Sequence, residues 1–141
     1  MLVGEFQHNI DTKGRVIMPA KFRDELGEKF VITKGLDKCL FVFSAGEWEK
    51  LDQKLSEQSL SKGRKIQRFF YGSMTECELD KQGRVLIPQS LRTYSEIEKD
   101  VVIVGLARRA EIWSKDEWDR QNSEFTEDAD DVALQMEDLG I

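Results

Sequence analysis

The chain has little of several things. Among 141 residues there are two cysteines, two prolines and one histidine, and no apolar run nears the ~20 residues of a membrane span. Cys39 and Cys77 stand far apart, so neither a disulfide framework nor a zinc framework is indicated, and a reducing, cytoplasmic setting is expected. A lone His8 leaves no His/Cys cluster at metal spacing, and no serine or cysteine has a base nearby in sequence. No glycine cluster fits a phosphate-binding pattern. Carboxylates are many but scattered, so a paired acid–base site cannot be argued. Met1 to Phe6 has neither the basic start nor the apolar core of a signal peptide. No catalytic residue, metal, cofactor, small-molecule substrate or membrane is therefore expected.

Positive charge also falls short overall, at a net −6, which speaks against a polyanionic partner until its distribution is examined. Asp116 to Ile141 holds ten acidic residues and one basic, a net of −9, so the preceding 115 residues carry +3. A mildly basic body with an acidic tail points to nucleic-acid contact by one part and solvation or partner contact by the other.

The two prolines show what is present. Asp11-Thr12-Lys13-Gly14-Arg15-Val16-Ile17-Met18-Pro19 returns 69 residues later as Asp80-Lys81-Gln82-Gly83-Arg84-Val85-Leu86-Ile87-Pro88. Val31 to Leu36 reads again at an offset of 70 as Val101 to Leu106, and Ser44-x-x-Glu47-Trp48 as Ser114-x-x-Glu117-Trp118. The extra residue is expected between Arg92 and Val101. Two copies are too few for a solenoid and suit a duplicated half-domain about a pseudo-two-fold axis. Halves of about 70 residues bury little core alone, which favours interdigitation, an oligomer, or both.

Local patterns predict the elements. Glu5 to Ile10 alternates with Phe6, His8 and Ile10 on one face, a strand. Asp at the first and Gly at the fourth turn position predict a tight turn, with Arg15–Met18 returning as a hairpin partner. Pro19 opens a short helix to Leu26 that Gly27 stops. Phe30–Thr33 and Leu40–Phe43 are strands. Ser44 and Glu47 form a capping box for a helix to about Glu57, with Trp48, Leu51 and Leu55 on one stripe. Ser59 to Gly63 reads as a loop and Arg64 to Tyr71 as a helix burying Ile66, Phe69 and Phe70. The second copy repeats the plan: Pro88 opens a helix through Leu91, Val101–Val104 and Glu111–Trp113 are strands, and Ser114 and Glu117 form a second box. In the tail, Val132, Leu134, Met136 and Leu139 suit a weak amphipathic helix or disorder. The division is 1–58 as first half, 59–73 as helical linker, 74–124 as second half and 125–141 as acidic tail.

Two loops carry the chemistry. The structural reading is that Asp accepts backbone amides, Gly takes the left-handed position, and Arg pairs with Asp. The functional reading adds an arginine held at a strand end, able to bond guanine O6 and N7 or phosphate. Duplication favours the second, because a structural turn need not place its basic residues in pairs. Candidate DNA-binding residues are Lys13, Arg15, Arg23, Lys81, Arg84 and Arg92, with Asp11, Gly14, Asp80 and Gly83 organising the loops. The run Lys62 to Arg68 is a solvated helix face that could also touch phosphates. His8 reads as a packed side chain, matched by Cys77, and Trp48 and Trp118 read as core anchors.

The doubled Asp-x-x-Gly-Arg…Pro motif, with Ser-x-x-Glu-Trp after each second strand, resembles the MraZ family of bacterial transcriptional regulators over residues 1 to about 124. Its halves look like the AbrB/MazE swapped-hairpin domain. The resemblance implies an α+β, mainly β fold of duplicated halves forming a pseudo-dimeric double-split barrel. It implies rings of identical subunits that bind direct repeats in the promoter of the division and cell-wall gene cluster, including the protein's own gene, and repress it from the nucleoid. Asp11/Arg15 and Asp80/Arg84 map onto the family's DNA-contacting or site-organising positions. Lys13 faces Gln82 in this comparison and Thr12 faces Lys81, so the loops need not contact DNA equally. The alternative is an antitoxin-like interaction protein whose acidic tail binds a basic partner.

Overall fold

The computed structural model describes residues 1–127 and 129–141, with the side chains of 125–127 set aside. The first half contributes β1 (Leu2–Asn9), β2 (Arg15–Ile17), α1 (Ala20–Leu26), β3 (Lys29–Lys34), β4 (Leu40–Ser44) and α2 (Ala45–Ser56). After α3 (Leu60–Ser73) the second contributes β5 (Thr75–Glu78), β6 (Arg84–Leu86), α4 (Gln89–Ser95), β7 (Asp100–Ala107), β8 (Ala110–Ser114) and α5 (Lys115–Glu127). α6 (Ala129–Asp138) follows. The fold is α+β in two similar halves, as expected.

The halves interdigitate. The six-stranded antiparallel sheet runs β1-β7-β8-β4-β3-β5, and β2 pairs with β6 in a separate ribbon. That order is a palindrome when each strand is exchanged for its copy. The pseudo-axis passes between β4 and β8, at the Phe41–Glu111 pair, and through the Val16–Val85 pair of the ribbon. The first strand of each half is thus laddered onto the other half: β1 on β7 and β5 on β3. The ladders close no barrel among the described residues, since β1 and β5 remain as sheet edges.

Register corrects the repeat read from the sequence. Phe30 pairs with Ser44 and Val101 with Ser114, so Val101 lies 71 residues beyond its counterpart. The outer ladders agree, because Lys29 faces Glu78 while Asp100 faces Asn9. The second copy therefore gains two residues before β7 and loses one in the β7–β8 connection. The match of Val31–Leu36 to Val101–Leu106 is one residue out of step. The two halves also differ behind their short helices, where Gly27 ends α1 at φ 76° and Glu96 takes the left-handed cap of α4 at φ 58°.

Both faces of the central strands are covered, which is why they read as apolar runs rather than as alternating patterns. One face packs Phe30, Ile32, Leu40, Val42, Val101, Ile103 and Ile112 against the ribbon's Val16 and Val85 and the helices' Phe22 and Leu91. Val16 and Val85 are each 1% exposed, worth about 1.5–3 kcal/mol apiece on burial. The other face packs Phe41, Phe43, Val102, Val104 and Trp113 under Trp48, Leu51, Phe70 and Trp118. Trp48 and Trp118 are anchors, as expected.

Several local expectations need adjusting. Ser59 caps α3 by accepting the Lys62 amide, so the helix begins at Leu60 and no loop reaches Gly63. Ile66 faces solvent rather than the core, and of the expected buried side only Phe70 packs on a core cluster, with Phe69 edge-on to its ring. Ser44 and Ser114 cap their helices, accepting the Glu47 and Glu117 amides, but the glutamates do not close the boxes. Glu47 pairs with Lys50 and Glu117 with Arg120, cations one turn on. In the tail α6 is helical, with Leu134, Met136 and Leu139 exposed; Asp128 lies outside the described residues.

Candidate nucleic-acid interface

Each turn is built by one carboxylate. Asp11 Oδ1 accepts the amides of Lys13 and Arg15, both at 2.9 Å, and Oδ2 accepts Arg15 Nε at 2.8 Å. The Gly14 amide donates to the Asp11 carbonyl at 3.0 Å, with Gly14 at φ 86°, a region L-residues avoid. Asp80 repeats the arrangement with Gln82 and Arg84 at 2.9, 2.9 and 2.8 Å, and Gly83 sits at φ 78°. The Arg15 amide, above all, and then its guanidinium hold the Asp11 carboxyl below its ordinary range; Arg84 does the same for Asp80. Both aspartates are therefore anionic clamps at neutral pH.

The clamps aim the arginines. With Nε bound inward, the terminal Nη edge of Arg15 has no hydrogen-bond partner among the described residues. Arg84 is held alike, and its Nη1 lies 4.0 Å from Asp11 Oδ2, so the turns adjoin across the ribbon. The two side chains are 30% and 25% exposed, open to an outside acceptor yet fixed in direction. Such pre-ordering reduces the entropy lost on forming a charge-assisted bond.

Arg23 and Arg92 serve the opposite halves. Arg23 Nε donates to the Met18 carbonyl and Arg92 Nε to the Ile87 carbonyl, each at 2.9 Å. Their guanidinium groups then lie over Gly83 and Gly14, where a Cβ would collide; at Gly14 it would reach 2.8 Å from Arg92 Cζ. Backbone bonds cross as well, from the Met18 amide to the Gly83 carbonyl and from the Ile87 amide to the Gly14 carbonyl. Arg23 therefore backs the second turn, not the first, which local sequence order does not reveal. Lys13 and Lys81 stand exposed at the tips. All six basic candidates come together at this one end of the molecule. The run Lys62 to Arg68 does not join them: it lies on α3, whose Phe70 packs on the sheet face opposite the ribbon.

Ile17 and Leu86 also sit on the outward face of the ribbon, and both are exposed. Sequence reasoning missed them. Their signal is faint: an aliphatic residue two positions after the arginine in both copies.

His8, on the strand that leads to the first turn, is half-buried, and burial first and Arg23 second lower its pKa. Burial raises the Cys77 thiol at the matching position to about 11, so it is not a thiolate at neutral pH. Among the described residues no cluster of three or more metal-ligating side chains occurs, and no helix is long and apolar enough to cross a membrane.

Comparison with known proteins agrees with this duplicated geometry. The family model described as "MraZ protein, putative antitoxin-like" matches the chain twice, over residues 1–68 and 70–137. A protein of Halothermothrix orenii is 52% identical over 143 aligned positions, covering 100% of both chains. One from a Thermoanaerobacter species is 51% identical over 143 positions at the same coverage, and one from Desulforamulus reducens is 50% identical over 141 positions, covering 99% of each. All three bear the name transcriptional regulator MraZ. With its doubled turns and its full-length likeness to these proteins, the chain belongs to the MraZ family, a family of transcriptional regulators and not of enzymes.

Proposed function

We propose that this protein is a sequence-specific repressor that grips double-stranded promoter DNA with the β2–β6 ribbon and its two turns. The observation that carries this reading is the matched pair of arginines, each clamped through Nε by its own aspartate, adjacent across the ribbon and part-exposed on its outer face. A two-stranded ribbon fits the major groove, where arginine bonds guanine O6 and N7. Lys13, Lys81, Arg23 and Arg92 add phosphate attraction. Six cations against two aspartates give the site a net +4, modest for one subunit. Several copies in a ring, each on one promoter repeat, raise the affinity through effective concentration. The target is the promoter of the division and cell-wall cluster, with the protein's own gene, and the location is the nucleoid within the cytoplasm. The acidic segment lies away from DNA in this reading: Trp118 of α5 packs on the sheet face opposite the ribbon.

Arg15→Ala should weaken binding to the DNA upstream of the protein's own gene by about 1–3 kcal/mol in a gel-shift titration. Unchanged affinity rejects the reading.

A second reading rests on α6, where Leu134 and Met136 are exposed beside Asp130, Asp131, Glu137 and Asp138, with Leu139 exposed just after it. There the tail binds a small basic protein, antitoxin-like. Co-purification of such a protein with the full chain, lost on deletion of 125–141, would support it. Promoter binding that survives this deletion supports the first reading.

A further inference from the structure

The ribbon's outer face holds more than charge. Antiparallel pairing sets Arg15 opposite Leu86 and Ile17 opposite Arg84. Directly paired residues share a face, and Val16 with Val85 occupies the buried one. Arg15, Ile17, Arg84 and Leu86 therefore form an outward quartet, cation and aliphatic on alternate corners. Ile17 is 41% exposed and Leu86 55%, and neither belongs to a core cluster. Phosphate recognition alone gives no use for bare aliphatic carbon between two guanidinium groups. The major groove does give one, because its floor carries a single apolar group, the C5 methyl of thymine.

We propose that Ile17 and Leu86 are specificity-determining residues that pack against thymine methyls next to the bases engaged by Arg15 and Arg84. The proposal rests on the DNA-binding reading above. Leu86 lies 69 residues beyond Ile17, and the axis through Val16–Val85 relates the two, so the contacts come as a pseudo-symmetric pair. The preferred site then carries thymines at two symmetric positions beside the arginine-read bases.

The test is a fluorescence-anisotropy titration of the full-length protein on the DNA upstream of its own gene. A second DNA carries deoxyuridine in place of every thymidine, which removes the C5 methyl and keeps the pairing edge. Loss of one buried methyl should weaken binding about 4-fold, and loss of two about 15-fold. The double variant Ile17→Ser/Leu86→Ser should bind both DNAs alike. Equal affinity of the wild type for both overturns the inference and leaves the DNA reading standing. Discrimination that persists in the double variant overturns it too and assigns the effect to duplex shape. Binding to neither DNA rejects the DNA reading and this inference together. Should the double variant fail to fold by circular dichroism, wild-type binding is measured on DNAs with single deoxyuridine replacements. Losses confined to two symmetric positions support the proposal, and losses spread evenly overturn it.

Discussion

In the first turn Asp11 orders the loop with bonds of 2.9, 2.9 and 2.8 Å, and in the second Asp80 uses the same three lengths. The residues carried at the tip differ: Thr12-Lys13 in one, Lys81-Gln82 in the other. Shape is set by Asp, Gly and Arg, whereas the flanking lysine has moved by one position. The frame that aims an arginine is thus separable from the charge that surrounds it. One half can drift in its phosphate contacts without loosening the arginine of either half.

The largest effect on this comparison should come from the glycines. Gly14→Ala and Gly83→Ala each force an L-residue into left-handed backbone, costing about 1–3 kcal/mol by urea denaturation. The loss should be greater at Gly83, where the new Cβ would press closer on the Arg23 guanidinium than its counterpart on Arg92. Equal losses would show that the opposing arginines yield freely. Exchanging charge at the tips should act on binding and leave stability alone. Lys13→Gln should reduce the slope of log affinity against log salt by about 1, and Gln82→Lys should increase it by about 1. A slope that responds in only one copy would show that only that turn meets phosphate.

The smallest effect concerns His8, whose place Cys77 takes in the second half. Its pKa in the fold is lowered from 6.5, so the unfolded chain binds the proton more readily. Its share of stability is complete above pH 6.5 and declines as the pH falls below that value. His8→Cys should flatten the dependence of the urea midpoint on pH between 7 and 5; an unaltered profile would assign the slope to other groups.

What the sequence reveals depends on how narrowly each feature restricts residue type. Asp11, Gly14 and Arg15, with their copies, are legible because a side-chain acceptor, a positive φ and a cation admit few substitutes. Pro19 and Pro88 mark the short helices for the same reason. The β3/β7 register is not legible, because strands apolar on both faces tolerate a one-residue shift without changing their pattern. Val31–Leu36 and Val101–Leu106 look aligned while the ladders set them one apart. The partnership of Arg23 with Gly83 is hidden because it arises only from the exchange of strands between halves. Ile17 and Leu86 are overlooked because a three-residue strand is too short for its period to distinguish an exposed aliphatic from a core one.

The ladder from β1 to β7 joins Leu2 to Ala107, and β2 waits for β6, nearly seventy residues further along the chain. During synthesis the amino-terminal part thus emerges with two strands that have nothing yet to zip against. Such long-separation closures make folding slow relative to a helical bundle. A single polypeptide cut short before β6 carries β2 without the strand it pairs with here, and so lacks half of the two-stranded platform.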